Sequence, residues 1–231
     1  MATAEVWWAA LTDVRPWHAG LLDPVERGRR ELYLREEDRD RFTIGVALTR
    51  LACGARLGVP PERVPLIRTC PDCGAPHGAP RVDGDGPRVS VSHSGDRVAL
   101  AVTGGGPVGV DVESRAITTG DIEEQVLGPA ELADLRGLAE GERQRGLLAY
   151  WTRKESIVKA TGDGLRAPLT DLRVSAPGEA PRLLAWAGRP GLAARIGLHA
   201  LDPGPGHVAC LALIDQPHAT VRELSAADLL S

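Results

Sequence analysis

Residues 41–58, RFTIGVALTRLACGARLG, space Ile44, Leu48, Leu51 and Leu57 for one side of a buried amphipathic helix, ended by Gly58 and the prolines at 60 and 61. The charge-dense stretch before it, residues 23–40, also reads as helix. Residues 59–88 are rich in proline and glycine and predict loop. The period then changes. In RVSVSHSGDRVALAV, Val89 and Val91 alternate with serines, Ser94-Gly95-Asp96 marks a turn, and 98–102 makes a second strand, so the stretch predicts a hairpin. VGVDVES is another strand, with Val108, Val110 and Val112 on one face. Gly128-Pro129 opens a helix over AELADLRGL, proline being allowed in the first turn. A further helix is expected from about Leu147 to Thr161, and short strands fill 171–215, closing with HVACLALI. That last strand is similar to RVALAVTG of the hairpin. The order predicts an α+β protein of two similar α/β halves, residues 1–105 and 106–231.

Composition narrows the classes. The 231 residues are 43% hydrophobic and carry a net charge of -4, which suits a folded globular protein and disfavours a general nucleic-acid binder. The N-terminal stretch has no basic segment followed by an apolar core, and no run reaches the roughly 20 apolar residues of a membrane helix, so a soluble cytoplasmic location is expected. Of the 27 lysines and arginines, only Lys154 and Lys159 are lysine, and they stand in one short stretch, WTRKESIVKATGDG. Lysine is a compact point charge with an adjustable proton, where arginine is a permanently charged fork.

Three groups of residues offer chemistry. Asp111 and Glu113 lie two apart on a strand, opposite the valines; their like charges are tolerated at a solvated edge or favoured by a cation between them, for which oxygen ligands suit magnesium or manganese. Glu155 falls on the apolar stripe of Leu147, Trp151 and Val158, where a carboxylate needs a partner, and Lys159 follows one turn later; Lys154 falls on the far edge of that stripe. In SVSHSGD, a Ser-His-Asp hydrolase built from Ser92 or Ser94, His93 and Asp96 or Asp111 would need serine and histidine on one face, yet neighbours in a strand point apart and no nucleophile elbow is present; a hydroxyl and imidazole that contact a phosphate, or an exposed hairpin tip, are the other readings. Separately, Cys70, Cys73 and His77 are three possible zinc ligands, with Cys53 as a fourth. A full structural site normally shows two ligand pairs, so a proline- and glycine-rich turn with reduced thiols is the plainer expectation.

V-G-V-D-V-E followed by W-T-R-K-E-S-I-V-K-A-T-G-D-G-L, with the upstream S-H-S hairpin, resembles the 4'-phosphopantetheinyl transferases. The length and the hairpin in the first half resemble the larger, monomeric class that activates polyketide and nonribosomal peptide synthases. The resemblance implies transfer of phosphopantetheine from coenzyme A to a serine of an acyl or peptidyl carrier protein, with release of 3',5'-ADP. It implies Asp111, Glu113 and Glu155 as ligands of Mg2+ (or Mn2+), and Arg41, Ser92, His93, Asp111, Lys159 and Arg29 as coenzyme A contacts. Glu155, Lys159 and Asp111 would be catalytic, with Glu155 the preferred base, and Glu131 would be a further acidic group near the metal. Residues 114–146 would face the carrier. One departure stands out: HGAP places Ala79 where the family often has a basic residue, so that contact is either missing, with weaker coenzyme affinity, or supplied by Arg81 or Arg68.

Overall fold

In the computed structural model, which describes residues 2–116 and 122–231, β1 (Thr3–Ala10) leads to α1 (Pro24–Glu31) and α2 (Glu36–Leu57). A small ribbon, β2 (Leu66–Ile67) and β3 (Arg81–Val82), interrupts the loop before the hairpin β4 (Arg88–Ser94) and β5 (Arg97–Thr103). Next come β6 (Val108–Ser114), α3 (Glu123–Val126), α4 (Pro129–Gly137) and α5 (Glu140–Thr161). The strands β7 (Leu172–Val174), β8 (Leu183–Trp186), β9 (Ile196–Leu201), β10 (His207–Ile214) and β11 (Thr220–Ser225) follow.

The stretch 23–40 is two helices rather than one. Asp23 accepts the Glu26 N–H at 2.8 Å and Glu26 returns a carboxylate oxygen to the Asp23 N–H at 3.0 Å, a reciprocal cap that starts α1. The chain then turns, so that Tyr33 packs on Leu22, Phe42 and Val46.

Two sheets form the frame. One has the order β11-β1-β5-β4, the other β6-β10-β9. In both, the first strand of the unit pairs antiparallel with its last, and the last with the strand before it. Strand β11 joins β1 in parallel, and Ala226 and Leu230 beyond it pack under α2. The alternation in β5 divides two cores. Val98, Leu100 and Val102 face α2, whereas the small Ala99 and Ala101 face Val108, Val110 and Val112 of the second sheet. Small residues on that side let the two sheets approach closely.

Helix α5 is covered on nearly every side, which marks a central helix rather than a surface one. One side lies on β6 and β10; Leu147, Tyr150 and Ile157 pack into the cluster completed by β7, β8 and α4. This corrects the expected position of Lys154. It is 0% exposed, and its Nζ donates to Val126 O (2.7 Å), Leu169 O (2.9 Å) and Glu131 Oε2 (2.5 Å). The single apolar stripe was misleading because a second layer covers the opposite face of the helix. Glu131 is corrected with it. The carboxylate caps Gly128 N at 3.0 Å, accepts Val174 N–H at 2.9 Å and pairs with Lys154, so it belongs to the core and not to a metal. Neighbouring Arg153 ties the same helix to the carbonyls of Ser175, Ala176, Pro177 and Glu179.

An ammonium has three N–H donors, and three acceptors surround Lys154. Replacing it by methionine leaves the Glu131 charge buried without a cation, so Lys154→Met should lower the unfolding free energy by about 3–5 kcal/mol in denaturant titrations. Lys154→Arg should also destabilise, because a guanidinium brings five N–H groups to three acceptors. Wild-type stability in the arginine variant would contradict this account.

Candidate active site

The serines of β4 carry the site. Ser90, Ser92 and Ser94 point one way along the strand, and their hydroxyls accept the N–H groups of Val110 (3.1 Å), Val112 (3.3 Å) and Ser114 (3.0 Å) in β6. Side chains of one sheet thus satisfy the free backbone edge of the other. Two of these hydroxyls also donate onward, Ser92 to Asp111 Oδ1 at 2.9 Å and Ser94 to Glu113 Oε2 at 2.7 Å. Asp111 and Glu113 leave β6 on the face opposite Val110 and Val112, as the strand period predicts.

Helix α5 supplies the other wall. Gly109 permits its close approach: a Cβ there would stand 2.0 Å from the Ser156 carbonyl oxygen and 2.5 Å from the Ala160 nitrogen. With the helix seated on β6, Lys159 reaches Asp111 Oδ1 at 2.6 Å, Ser92 Oγ at 3.0 Å and Val110 O at 3.2 Å. Glu155, one turn earlier, lines the same open cleft of about 360 Å³ with Asp111, Glu113, His93 and Trp151.

Charge is crowded there. Burial first, and then Asp111, push the Glu113 carboxyl up to about 7. Glu155 is raised for the same two reasons in the same order, with Lys159 opposing. His93 is lowered, first by desolvation and then by the charges of Lys159 and Arg41, which favours its neutral form. Asp111 Oδ2 is buried without a hydrogen-bond partner. An orphaned carboxylate oxygen beside two carboxyls that resist ionisation fits a hard divalent cation such as magnesium. The three carboxylates do not converge tightly, however. Among the described residues, the group of three possible ligands with atoms all within 4.8 Å of one another is Cys70, Cys73 and His77. Cys53 is no part of it; it lies in an apolar cluster with Val64 and Val82, where burial pushes its thiol up to about 11.

A larger cleft of about 640 Å³ adjoins the first and shares Val91, His93 and Lys159 with it. Arg29, Arg41 and Arg68 line it. Arg29 and Arg68 both stand over the Phe42 ring, at 5.5 and 5.6 Å from its centroid, and Arg29 Nη1 is buried without a partner. Arg41 is anchored by Gly95 O at 2.6 Å and Asp38 at 2.5 Å. Ala79 lines this cleft beside Arg68, whereas Arg81 is exposed on β3. The residues that the resemblance implies for metal and coenzyme, Arg29, Arg41, Ser92, His93, Asp111, Glu113, Glu155 and Lys159, surround two adjoining clefts. Ser92 is a part of the wall: its oxygen is engaged by Val112, Lys159 and Asp111. Sequence reasoning passed over Ser90 and Gly109, and met Ser94 only as a turn residue and a discarded nucleophile. The matching alternation of S-V-S-H-S with V-D-V-E-S was the available signal.

The Glu113 shift has a sign that can be checked. The unfolded chain loses this proton near its ordinary 4.5, the folded protein only near 7. The folded state binds the proton more tightly, so its contribution to stability is present at low pH and is lost as pH rises through that window. Melting temperatures of metal-free protein should show this loss between about pH 4.5 and about 7, and Glu113→Gln should flatten it. An unchanged profile in the variant would show that Glu113 is not its source.

The sequence profile of the 4'-phosphopantetheinyl transferase superfamily matches residues 107–211, the span from just before β6 into β10. The 4'-phosphopantetheinyl transferase HetI of Nostoc is 31% identical over 172 residues, covering 73% of this chain and 71% of its own. A 4'-phosphopantetheinyl transferase of Bacillus subtilis is 29% identical over 69% of this chain and 72% of its own, and Sfp of the same species 24% identical over 85% and 84%. Those matches, and the signature strand and helix that bring Asp111, Glu113, Glu155 and Lys159 together, lead to one conclusion: the chain belongs to the 4'-phosphopantetheinyl transferase superfamily and is an enzyme of that class.

Proposed function

We propose that the protein transfers the 4'-phosphopantetheine of coenzyme A to a serine hydroxyl of an apo acyl or peptidyl carrier protein of polyketide or nonribosomal peptide synthases, giving holo carrier and 3',5'-ADP. The observation that carries this is the junction of the two clefts, where an arginine-lined groove runs into a carboxylate-lined one at Lys159 and His93. A nucleotide bearing several phosphates suits the first and a metal-bound pyrophosphate the second.

Asp111, Glu113 and Glu155 would hold Mg2+, or Mn2+, which when bound supplies charge neutralisation at the pyrophosphate oxygens. The protein's own groups do the rest by placement, as phosphoryl transfer demands. Lys159 holds its charge at the junction and offsets the negative charge that builds on the departing nucleotide. Arg29, with a free buried N–H, and Arg41 serve the coenzyme phosphates. Arg68 takes over the basic contact missing at Ala79, since it lines the same cleft and Arg81 does not. His93, exposed at the junction, offers a hydrogen bond to a phosphate. Glu155 accepts the proton of the attacking serine directly or through water.

The chain length supports the larger monomeric class, acting in the cytoplasm; among the described residues no helix is long and apolar enough to cross a membrane. The shared strand order of β1-β5-β4 and β6-β10-β9 supports two halves, divided near residue 105 and related by a pseudo-twofold. Of the proposed carrier-facing segment 114–146, residues 117–121 lie outside the described residues.

Incubation with coenzyme A, magnesium and an apo carrier should add a phosphopantetheine mass to the carrier and release 3',5'-ADP. Binding of coenzyme A with no mass gain on any of several peptidyl and acyl carriers would overturn the proposal. Glu155→Gln should lower kcat by about 10²–10⁴-fold, the usual contribution of a general base. Circular dichroism should remain native, and full turnover in that variant would remove Glu155 from the role.

A further inference from the structure

The loop between α2 and the hairpin gathers three soft ligands that the transfer chemistry does not use. Cys70 is buried, Cys73 and His77 are exposed, and one ligand atom from each lies within 4.8 Å of the others. Cys73 Sγ stands 3.0 Å from His77 Nε2. Zinc bonds of about 2.3 Å to sulfur and about 2.0 Å to nitrogen at a tetrahedral angle set these atoms about 3.5 Å apart, a small outward adjustment.

The backbone is shaped to bring the ligands together. Gly74 follows the second cysteine with a left-handed φ of +73°, and its N–H donates to Cys70 O at 2.9 Å, which closes the C-P-D-C turn. The Cys70 N–H then returns to Ala75 O at 2.8 Å, and Gly78 N–H ties the far end to Arg68 O at 2.7 Å. This stretch has little else to hold it, since no apolar cluster of the core includes residues 71–80. Yet Arg68, Cys70, His77 and Ala79 line the larger cleft. A wall of a binding cleft built from a loop without core needs a fastening.

We propose that Cys70, Cys73 and His77 bind a zinc ion, with water in the fourth position, and that this ion fixes the loop 68–80 as a wall of the larger cleft. Two thiolates balance the charge of the ion, and a neutral imidazole completes the protein ligands. Cys53 is too deep in its apolar cluster to serve as the fourth. Asp72 is engaged by Arg166 at 2.5 Å, a contact that joins the loop to the turn after α5. The binding of zinc stands apart from the proposed transferase reaction; only the meaning of the wall as a coenzyme contact rests on that reaction.

The protein purified without chelators should contain about one zinc per chain by elemental analysis. Cobalt added to the zinc-stripped, reduced protein should give the visible bands of a tetrahedral thiolate site. Cys73→Ser and His77→Ala, both at exposed positions, should lose the zinc and be cut by trypsin at Arg68 or Arg81 at least several-fold faster than wild type. Two results would overturn the proposal. One is a reduced wild-type protein that neither carries zinc nor takes up cobalt. The other is zinc retained in full by both variants, which would put the ion elsewhere. Neither measurement needs coenzyme A, a carrier protein or turnover, so a negative transferase assay would leave the zinc result standing.

Discussion

The row of serine hydroxyls between β4 and β6 is the contact on which the site depends. Ser90, Ser92 and Ser94 accept the backbone N–H groups of three alternate residues of β6, although the two strands belong to different sheets. The row fixes the register of one sheet against the other. Because a strand places every second residue on one face, a slip of one residue would turn Asp111 and Glu113 into the alanine-lined core. The hydroxyls of Ser92 and Ser94 also donate to those two carboxylates, so the joint between the sheets and the geometry of the acidic pair are set by the same atoms.

Lys159 extends this network from the helix side. Its three N–H groups meet Ser92, Asp111 and Val110, as those of Lys154 meet Glu131, Val126 and Leu169. In a chain that otherwise uses arginine, both lysines thus occupy places with three acceptors around a single nitrogen. Their work differs. Lys154 locks α5 to the layer behind it, and Lys159 brings charge to the cleft in front. Helix α5 therefore has a core side and a reactive side one residue apart in sequence, at Lys154 and Glu155.

Electrostatics follow from that packing. Asp111 and Glu113 are held on one face beside Glu155 with Lys159 as the cation bonded among them, so two carboxyls resist ionisation and Asp111 keeps a buried oxygen without a partner. The arrangement costs stability in the protein alone and gains from an added cation. It is a site prepared for charge that arrives with a ligand, a common property of centres that act on phosphates.

The sequence by itself determined the local geometry. The hairpin, the strand of V-G-V-D-V-E-S and the paired direction of Asp111 and Glu113 follow from the period of two, and the one-turn spacing of Glu155 and Lys159 from the period of the helix. Periodicity is a property of the backbone and needs no distant partner. Only the tertiary structure decided which faces were covered. A helix that looked one-sided proved covered on its opposite face as well, which moved Lys154 and Glu131 into a core ion pair. Arg68 was separated from Arg81, and Ser92 was drawn into the wall, by contacts with residues far along the chain. Cys70, Cys73 and His77 could be counted in the sequence, but the turn at Gly74 and the loop closure that gather them are matters of backbone conformation and packing. Such contacts are set by how layers stack, and the spacing of residues along one element carries no record of what stacks upon it.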